Sequence, residues 1–234
     1  MKERRSKESM KELLIFDLDG LLLDTERVYH EGWLALFEKY HLPITSADIV
    51  AWRGQSWQQT ATLLAKKVGG LQRVEEFRQE REGYIEDQLL NGNLQPKPFA
   101  RETLALAREK GLKTALATSS MAFRGEKLLD HFELQNAFDF KTFGDDVPAH
   151  KPDPAPYLLT LKKAARTSES ALVMEDSLPG ATAATRAGIQ VVLIPDQSFT
   201  HHFSADEKAG LNLYAETTSL EYVYQLLATE QLTN

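Results

Sequence analysis

The sequence has 234 residues, of which 42% are hydrophobic and 26% are charged, and these values exclude a disordered, collagen-like or coiled-coil chain. Its 27 Lys and Arg residues against 34 Asp and Glu residues give a formal net charge of −7, which disfavours non-specific binding to nucleic acid. There is no cysteine, so any catalysis must use oxygen and nitrogen groups. No apolar run has the roughly 18 residues of a membrane-spanning helix. We expect a cytoplasmic, monomeric protein with no membrane or nucleic-acid partner.

The first part of the chain predicts a polar tail, one strand and a helical insertion. Residues 1–11 are almost all polar, and we expect a flexible tail. The continuous apolar run 13–16 is typical of a strand covered on both faces in a parallel sheet. Residues 26–92 then show apolar residues at helical spacing and no convincing strand, and they end in turn-forming Asn, Gly and Pro residues. This pattern predicts an all-helical cap domain inserted after the first strand.

The rest of the chain alternates strands with helices. Apolar runs recur at 113–117, 171–174 and 190–194, with a weaker one at 138–143, and helical patterns cover 100–110, 123–131, 155–165 and 179–187. Such alternation predicts an α/β fold with a doubly wound, Rossmann-like parallel sheet. We expect the core to comprise residues 12–25 and 93–234, with the cap at 26–92.

Polar segments follow four of the five apolar runs, at the position where ligands bind in open α/β sheets. These segments are Asp17-Leu18-Asp19-Gly20, Thr118-Ser119-Ser120, the stretch from Gly144 to Lys151, and Glu175-Asp176-Ser177. Side chains two residues apart on a strand point to the same side, so the Asp17 and Asp19 carboxylates should converge. Oxygen ligands without His or Cys favour Mg²⁺, and hydroxyl, N–H and ammonium groups suit a phosphoryl group. A calcium loop starting at Asp17 is excluded, because Leu22 and Val28 stand where Gly and Glu would be required.

Four segments carry a family resemblance. Asp17-Leu18-Asp19-Gly20-Leu21-Leu22-Leu23-Asp24-Thr25, Ala117-Thr118-Ser119-Ser120, Lys151-Pro152-Asp153-Pro154 and Glu175-Asp176-Ser177-Leu178-Pro179-Gly180 resemble the four signature motifs of the haloacid dehalogenase superfamily. The chain is most similar to its β-phosphoglucomutase-like, sugar-phosphatase branch.

The resemblance implies a role for each motif residue. Asp17 would be the nucleophile, and Asp19 would protonate the leaving oxygen and then activate water. Thr118, the Ser119 backbone and Lys151 would hold the phosphate. The Mg²⁺ site would comprise Asp17, Asp19 through its backbone carbonyl, Glu175 and Asp176. The substrate would be a small phosphorylated metabolite.

Three functions stay open on the sequence. An acid at Asp19 favours phosphate esters over the dehalogenase and phosphonatase branches. Tyr29 and Trp57 stand where the resembling mutases have His and Arg, which favours a phosphatase of sugar phosphates. The alternatives are a β-phosphoglucomutase-type mutase and a non-catalytic phosphometabolite-binding protein.

Substrate choice should depend on the cap, because the core recognises only the phosphoryl group. The candidate cap contacts are Arg53, Gln55, Trp57, Arg78 and Arg81. Arg78 and Arg81 lie in a charged run that is equally typical of a solvated helix face. His150 replaces the Gly that commonly precedes the motif Lys, and either a role near the phosphate or a solvent-facing position fits it. His201-His202 indicates a surface loop rather than a metal pair.

Overall fold

A six-stranded parallel sheet organises the described part of the chain, with strand order β3-β2-β1-β4-β5-β6. The computed structural model describes residues 11–52, 57–198 and 203–233. The strands are β1 (Leu13–Phe16), β2 (Lys113–Ala117), β3 (Phe140–Thr142), β4 (Ala171–Glu175), β5 (Gln190–Leu193) and β6 (Leu213–Glu216). The predicted α/β fold is confirmed.

The strand order reverses beside β1. The chain proceeds from β1 through β2 to β3 on one side, and then β4, β5 and β6 continue on the other side. Every residue of β1 is fully buried, as the continuous apolar run predicts for a strand covered on both faces. The carboxyl ends of β1 and β4 therefore lie at the point where open α/β sheets bind their ligands.

Helices cover the sheet and form the insertion. In chain order they are α1 (Thr25–Lys39), α2 (Ser46–Trp52), α3 (Trp57–Val68), α4 (Leu71–Leu90), α5 (Ala100–Glu109), α6 (Ala122–His131), α7 (Ala155–Ala164), α8 (Leu178–Arg186) and α9 (Glu221–Ala228). None of the described helices combines the length and the apolar character that crossing a membrane requires.

The described residues divide into two compact units. One comprises residues 11–22, 96–196 and 203–233, and the other comprises 23–52, 57–95 and 197–198. The second unit contains α1 to α4 and has its own apolar core around Trp33, Phe37, Leu64 and Phe77. The sequence placed the unit boundaries at 25/26 and 92/93, and the structure divides the chain at 22/23 and 95/96.

The residue before β1 and the last strand and helix differ from the sequence expectations. Lys11 was assigned to the flexible tail, but it is buried, and its Nζ donates hydrogen bonds to the Glu169 and Ala171 carbonyl oxygens at 3.0 Å each. The strand β6 and the helix α9 had no predicted counterpart. β6 is an edge strand whose residues are only half buried or exposed, so its sequence lacks a continuous apolar run. The tail up to residue 10, Arg53, Gln55 and His201-His202 lie outside the described residues.

The fully buried Leu172 on β4 tests the packing of the sheet. Replacing it by Ala removes buried methyl groups and leaves a cavity, so we expect the free energy of unfolding to fall by about 2–5 kcal/mol. The matched control is Leu158→Ala on α7, where the side chain is 49% exposed and the change should be below about 1 kcal/mol. Chemical denaturation measures both. Equal losses would contradict the burial assigned to β4.

Candidate active site

The first and fourth predicted motifs meet where β1 and β4 end. Phe16 pairs with Met174 in the parallel register, and the Asp17 N–H donates to the Met174 carbonyl at 3.2 Å. Asp17 and Glu175 are thereby delivered to the same edge of the sheet. Just beyond Asp19, Gly20 has φ 78°, a left-handed conformation that Gly adopts without a steric penalty, and the chain turns there.

Lys151 joins these two carboxylates. Its Nζ lies 2.6 Å from Asp17 Oδ1, 2.5 Å from Glu175 Oε1 and 2.9 Å from the Ala117 carbonyl oxygen. The side chain is 6% exposed, so the contacts form away from solvent. An ammonium has three N–H donors, and these three acceptors match them in number. A residue far from Asp17 in sequence thus supplies the cation of the site.

The electrostatics of the site favour a cation. Burial raises the pKa of Asp17 to about 7, and the negative charges of Glu175 and Asp19 add to that rise although Lys151 opposes it. Burial also acts against the charged form of Lys151, but attraction to Asp17 and Glu175 outweighs it and keeps the pKa of that ammonium well above its usual value. One ammonium therefore faces more than one carboxylate.

Three buried carboxylates lie close enough together to bind one divalent cation. Ligand oxygens of Asp17, Glu175 and Asp176 all lie within 4.8 Å of one another, and all three residues are buried. Carboxylate oxygens without His or Cys are the donor set that Mg²⁺ prefers. The residues present therefore fit the predicted ion.

Glu175 is held by many donors. Its Oε1 accepts from Lys151 and from the Tyr157 hydroxyl at 2.7 Å, and its Oε2 accepts from the Asp176 N–H at 3.1 Å. The Ser177 N–H and hydroxyl also donate to Oε2, at 3.3 and 3.0 Å. Gly180 packs so closely that a Cβ there would overlap the Glu175 carboxylate. Both oxygens of Glu175 are thus engaged inside the protein.

The second motif forms the loop between β2 and α6. Thr118 is buried, and its hydroxyl accepts from the Ser120 N–H at 3.0 Å, whereas Ser119 is exposed. The Gly144 N–H donates to the Ser120 carbonyl at 2.8 Å, and a Cβ on Gly144 would overlap the Ser119 carbonyl. Gly144 therefore fixes the position of this loop through close backbone contact.

The structure adds two residues that sequence reasoning did not single out. Arg124 on α6 pairs with Asp19, and Tyr157 on α7 donates to Glu175. Arg124 stands only four residues after Ser120 of the second motif, and this proximity in the sequence is a signal that could have found it. Tyr157 has no comparable signal, because only the folded chain brings its hydroxyl to Glu175.

The predicted cap residues have different surroundings. Trp57 begins α3, and its side chain lies outside the described set. Arg78 is 43% exposed, with Nη1 3.7 Å from Glu75 Oε2, as expected for a solvated helix face. Arg81 is 11% exposed, and its guanidinium lies 4.4 Å from the Tyr29 ring centroid and 4.7 Å from that of Trp33. The solvated-face interpretation is therefore wrong for Arg81, since aromatic rings attract and cover its charge. His150 is exposed.

Comparisons with known proteins identify the family. Residues 14–194 match the family model of haloacid dehalogenase-like hydrolases. A phosphorylated carbohydrates phosphatase of Thermotoga maritima is 34% identical over 182 residues, covering 76% of this chain and 82% of that protein. Hexitol phosphatase B of Escherichia coli is 29% identical over 200 residues, covering 77% of this chain and 82% of that protein.

A solved structure shares the fold. The crystal structure of a Thermotoga maritima protein with a provisional β-phosphoglucomutase assignment superposes with a TM-score of 0.76 at 28% identity, covering 93% of this chain and 99% of that one. The chain belongs to the haloacid dehalogenase-like hydrolase family. The resemblance drawn from the four motifs is confirmed, and the family and its named relatives support a phosphatase.

The close contact between Gly180 and Glu175 can be tested by measuring the free energy of unfolding of a Gly180 variant. In Gly180→Ala the added Cβ must displace a buried carboxylate that holds Lys151, so we expect the free energy of unfolding to fall by about 1–3 kcal/mol. Gly83→Ala is the matched control, because this helical Gly is exposed, has open space around it and should gain up to about 1 kcal/mol. Denaturant titration of both variants measures the difference. A neutral Gly180→Ala would contradict the packing described for Glu175.

Proposed function

We propose that the protein is a Mg²⁺-dependent phosphatase that hydrolyses a small sugar phosphate through an aspartyl phosphate on Asp17. The observation that carries the proposal is the buried Lys151 ammonium between Asp17 and Glu175, beside Asp176. A carboxylate next to a fixed cation and a set of metal-binding carboxylates is suited to attack phosphorus, because the phosphoryl charge is offset where it arrives. We further propose that it acts as a cytoplasmic monomer.

In the first step, an Asp17 carboxylate oxygen attacks phosphorus as the bond to the leaving oxygen breaks. The Asp19 carboxyl gives its proton to that oxygen, so the sugar leaves as an alcohol and Asp19 becomes a carboxylate. Lys151 turns one N–H donor from Asp17 to a phosphoryl oxygen as Asp17 attacks, and Thr118 holds another phosphoryl oxygen through the transfer. Bound Mg²⁺ would offset the negative charge shared by the phosphoryl group and the carboxylates.

In the second step, water attacks the phosphorus of the aspartyl phosphate. Asp19 accepts the proton of that water, inorganic phosphate leaves, and the Asp17 carboxylate is restored. Asp19 thus serves as acid and then as base, so one turnover regenerates both groups.

We place Glu175 outside the set of metal ligands. Its two oxygens already accept hydrogen bonds from five donor groups, so binding a cation would break contacts that hold Lys151. Asp17, Asp176 and the Asp19 backbone carbonyl would hold Mg²⁺. Glu175 would act by keeping the Lys151 ammonium in place.

The substrate class rests on the relatives. One is named for phosphorylated carbohydrates and another for hexitols, and we carry the sugar-phosphate class over to this chain. Substrate selection by Arg53, Gln55, Trp57 and Arg78 stays a prediction. For Arg81, packing against two aromatic rings favours a structural role in the helical unit.

Replacing the nucleophile tests the chemistry. Asp17→Asn keeps the size of the side chain but removes its nucleophilic carboxylate, so we expect phosphate release from sugar phosphates to fall by about a thousandfold or more. Wild-type release should require Mg²⁺ and stop with chelator. Asp130→Asn, an exposed change on α6, is the matched control and should keep full activity. Acid quench and mass spectrometry should find a phosphoryl group on the wild-type peptide that contains Asp17. Wild-type turnover by Asp17→Asn would disprove the nucleophile.

The mutase alternative is supported by the fold similarity to a provisional β-phosphoglucomutase and has a direct test. Incubating the protein with β-glucose 1-phosphate and Mg²⁺ should give glucose and inorganic phosphate. Phosphorus NMR distinguishes these products from glucose 6-phosphate. Formation of the 6-phosphate at a rate above phosphate release would establish the mutase instead.

A further inference from the structure

The Asp19 carboxylate is held on both oxygens by the side chains of Ser120, in the loop before α6, and Arg124, in the first turn of α6. Arg124 Nη2 lies 2.8 Å from Asp19 Oδ1, and Arg124 Nη1 lies 3.1 Å from Oδ2. The Ser120 hydroxyl donates to the same Oδ2 at 2.6 Å and accepts from Arg124 Nη1. A planar guanidinium and a carboxylate in this two-point arrangement fix each other's orientation as well as position.

The arrangement is built by local structure. Ser120 closes the loop after β2, two residues before α6 begins, and Arg124 lies in the first turn of α6, where its Nη1 donates to the Ser120 hydroxyl. The side chains of Arg124 and Asp19 are 14% and 18% exposed, which limits the water that could compete for the pair. Asp19 itself lies on a loop, where an aspartate without such partners would sample several rotamers.

Resting on the function proposed above, we infer that Arg124, assisted by Ser120, is a positioning residue that orients the Asp19 carboxyl for proton transfer to the leaving oxygen. Arg124 acts through Asp19 and forms no bond to the substrate. The reacting bonds are those of the first step, in which the P–O bond to the sugar breaks, the Asp17 O–P bond forms, and the proton moves from Asp19 to the sugar oxygen. A misoriented Asp19 would leave that oxygen as an alkoxide, which is a poor leaving group.

The inference predicts a dependence on the leaving group. A sugar oxygen needs a proton to leave, whereas 4-nitrophenolate is stable without one. We expect Arg124→Ala to lower kcat/KM by about 10–100-fold for the sugar phosphate, part of the full range for general acid catalysis, and by less than about threefold for 4-nitrophenyl phosphate. The ratio kcat/KM is the proper quantity, because it reports only the steps up to release of the first product when that release is irreversible.

Further variants separate orientation from charge and from folding. Arg124→Lys keeps the charge but lacks the two-point fork, so its kcat/KM for the sugar phosphate should lie between wild type and Arg124→Ala. Ser120→Ala should show a smaller loss with the same leaving-group pattern. Arg166→Ala is the matched control, because Arg166 pairs with Glu12 just before β1, at the opposite end of the strands. It should leave both substrates unchanged.

A double-mutant cycle gives the decisive measurement. If Arg124 acts only through Asp19, then Arg124→Ala should cause no further loss of kcat/KM in an Asp19→Asn background. Independent, multiplying losses would overturn the inference, as would an equal loss on both substrates or faster turnover of Arg124→Ala. Thermal unfolding of each variant checks that the comparison is made between folded proteins.

Failure of this inference can be distinguished from failure of the proposed function. If wild type turns over both substrates and Asp17→Asn turns over neither, any of the three contrary results overturns the role of Arg124 alone. If wild type releases no phosphate from either substrate, the proposed function falls and takes the inference with it.

Discussion

The site depends on one interaction, the contact of the buried Lys151 ammonium with Asp17 and Glu175. Two carboxylates this deeply buried would repel each other and favour protonation unless a cation lay between them. Other features serve the same contact. Tyr157 donates to the Glu175 oxygen that faces Lys151, and Gly180 leaves room for that carboxylate. Two carboxylates and the Ala117 carbonyl oxygen therefore hold the ammonium beside Asp17 before an anion arrives.

The sheet topology explains why these residues can meet. β1 and β4 are neighbours in space although more than 150 residues separate Leu13 from Ala171, and their parallel register brings Asp17 and Glu175 to the same level. At a reversal of strand order the connections leave in opposite directions, so the ends of both strands stay accessible. The sheet thus fixes the positions of the strand ends, and the short loops that follow them carry the reactive side chains.

The alternation of strands and helices predicted the fold class, and the apolar runs predicted that Asp17 and Glu175 lie at the ends of neighbouring strands. Sequence reasoning could not find Tyr157, whose hydrogen bond to Glu175 exists only once α7 packs against the sheet. It also missed β6, because a half-buried edge strand has no continuous apolar pattern. Lys11 was assigned to the tail by its polarity, yet two carbonyl oxygens satisfy its ammonium within the core unit. In each case long-range contact overrides a local pattern.

The two aspartates of the first motif show how environment divides roles between identical side chains. Asp17 is buried and paired with a lysine, a compact ammonium that leaves other positions around the carboxylate available. Asp19 is more exposed and is held by an arginine on both oxygens, so its direction is fixed while it stays close to solvent. A nucleophile must be desolvated and aimed at one atom, whereas an acid and base must exchange protons with a leaving group and with water. Asp17 and Asp19 stand two residues apart after β1, and pairing with a lysine in one case and an arginine in the other suits each of them to its own role.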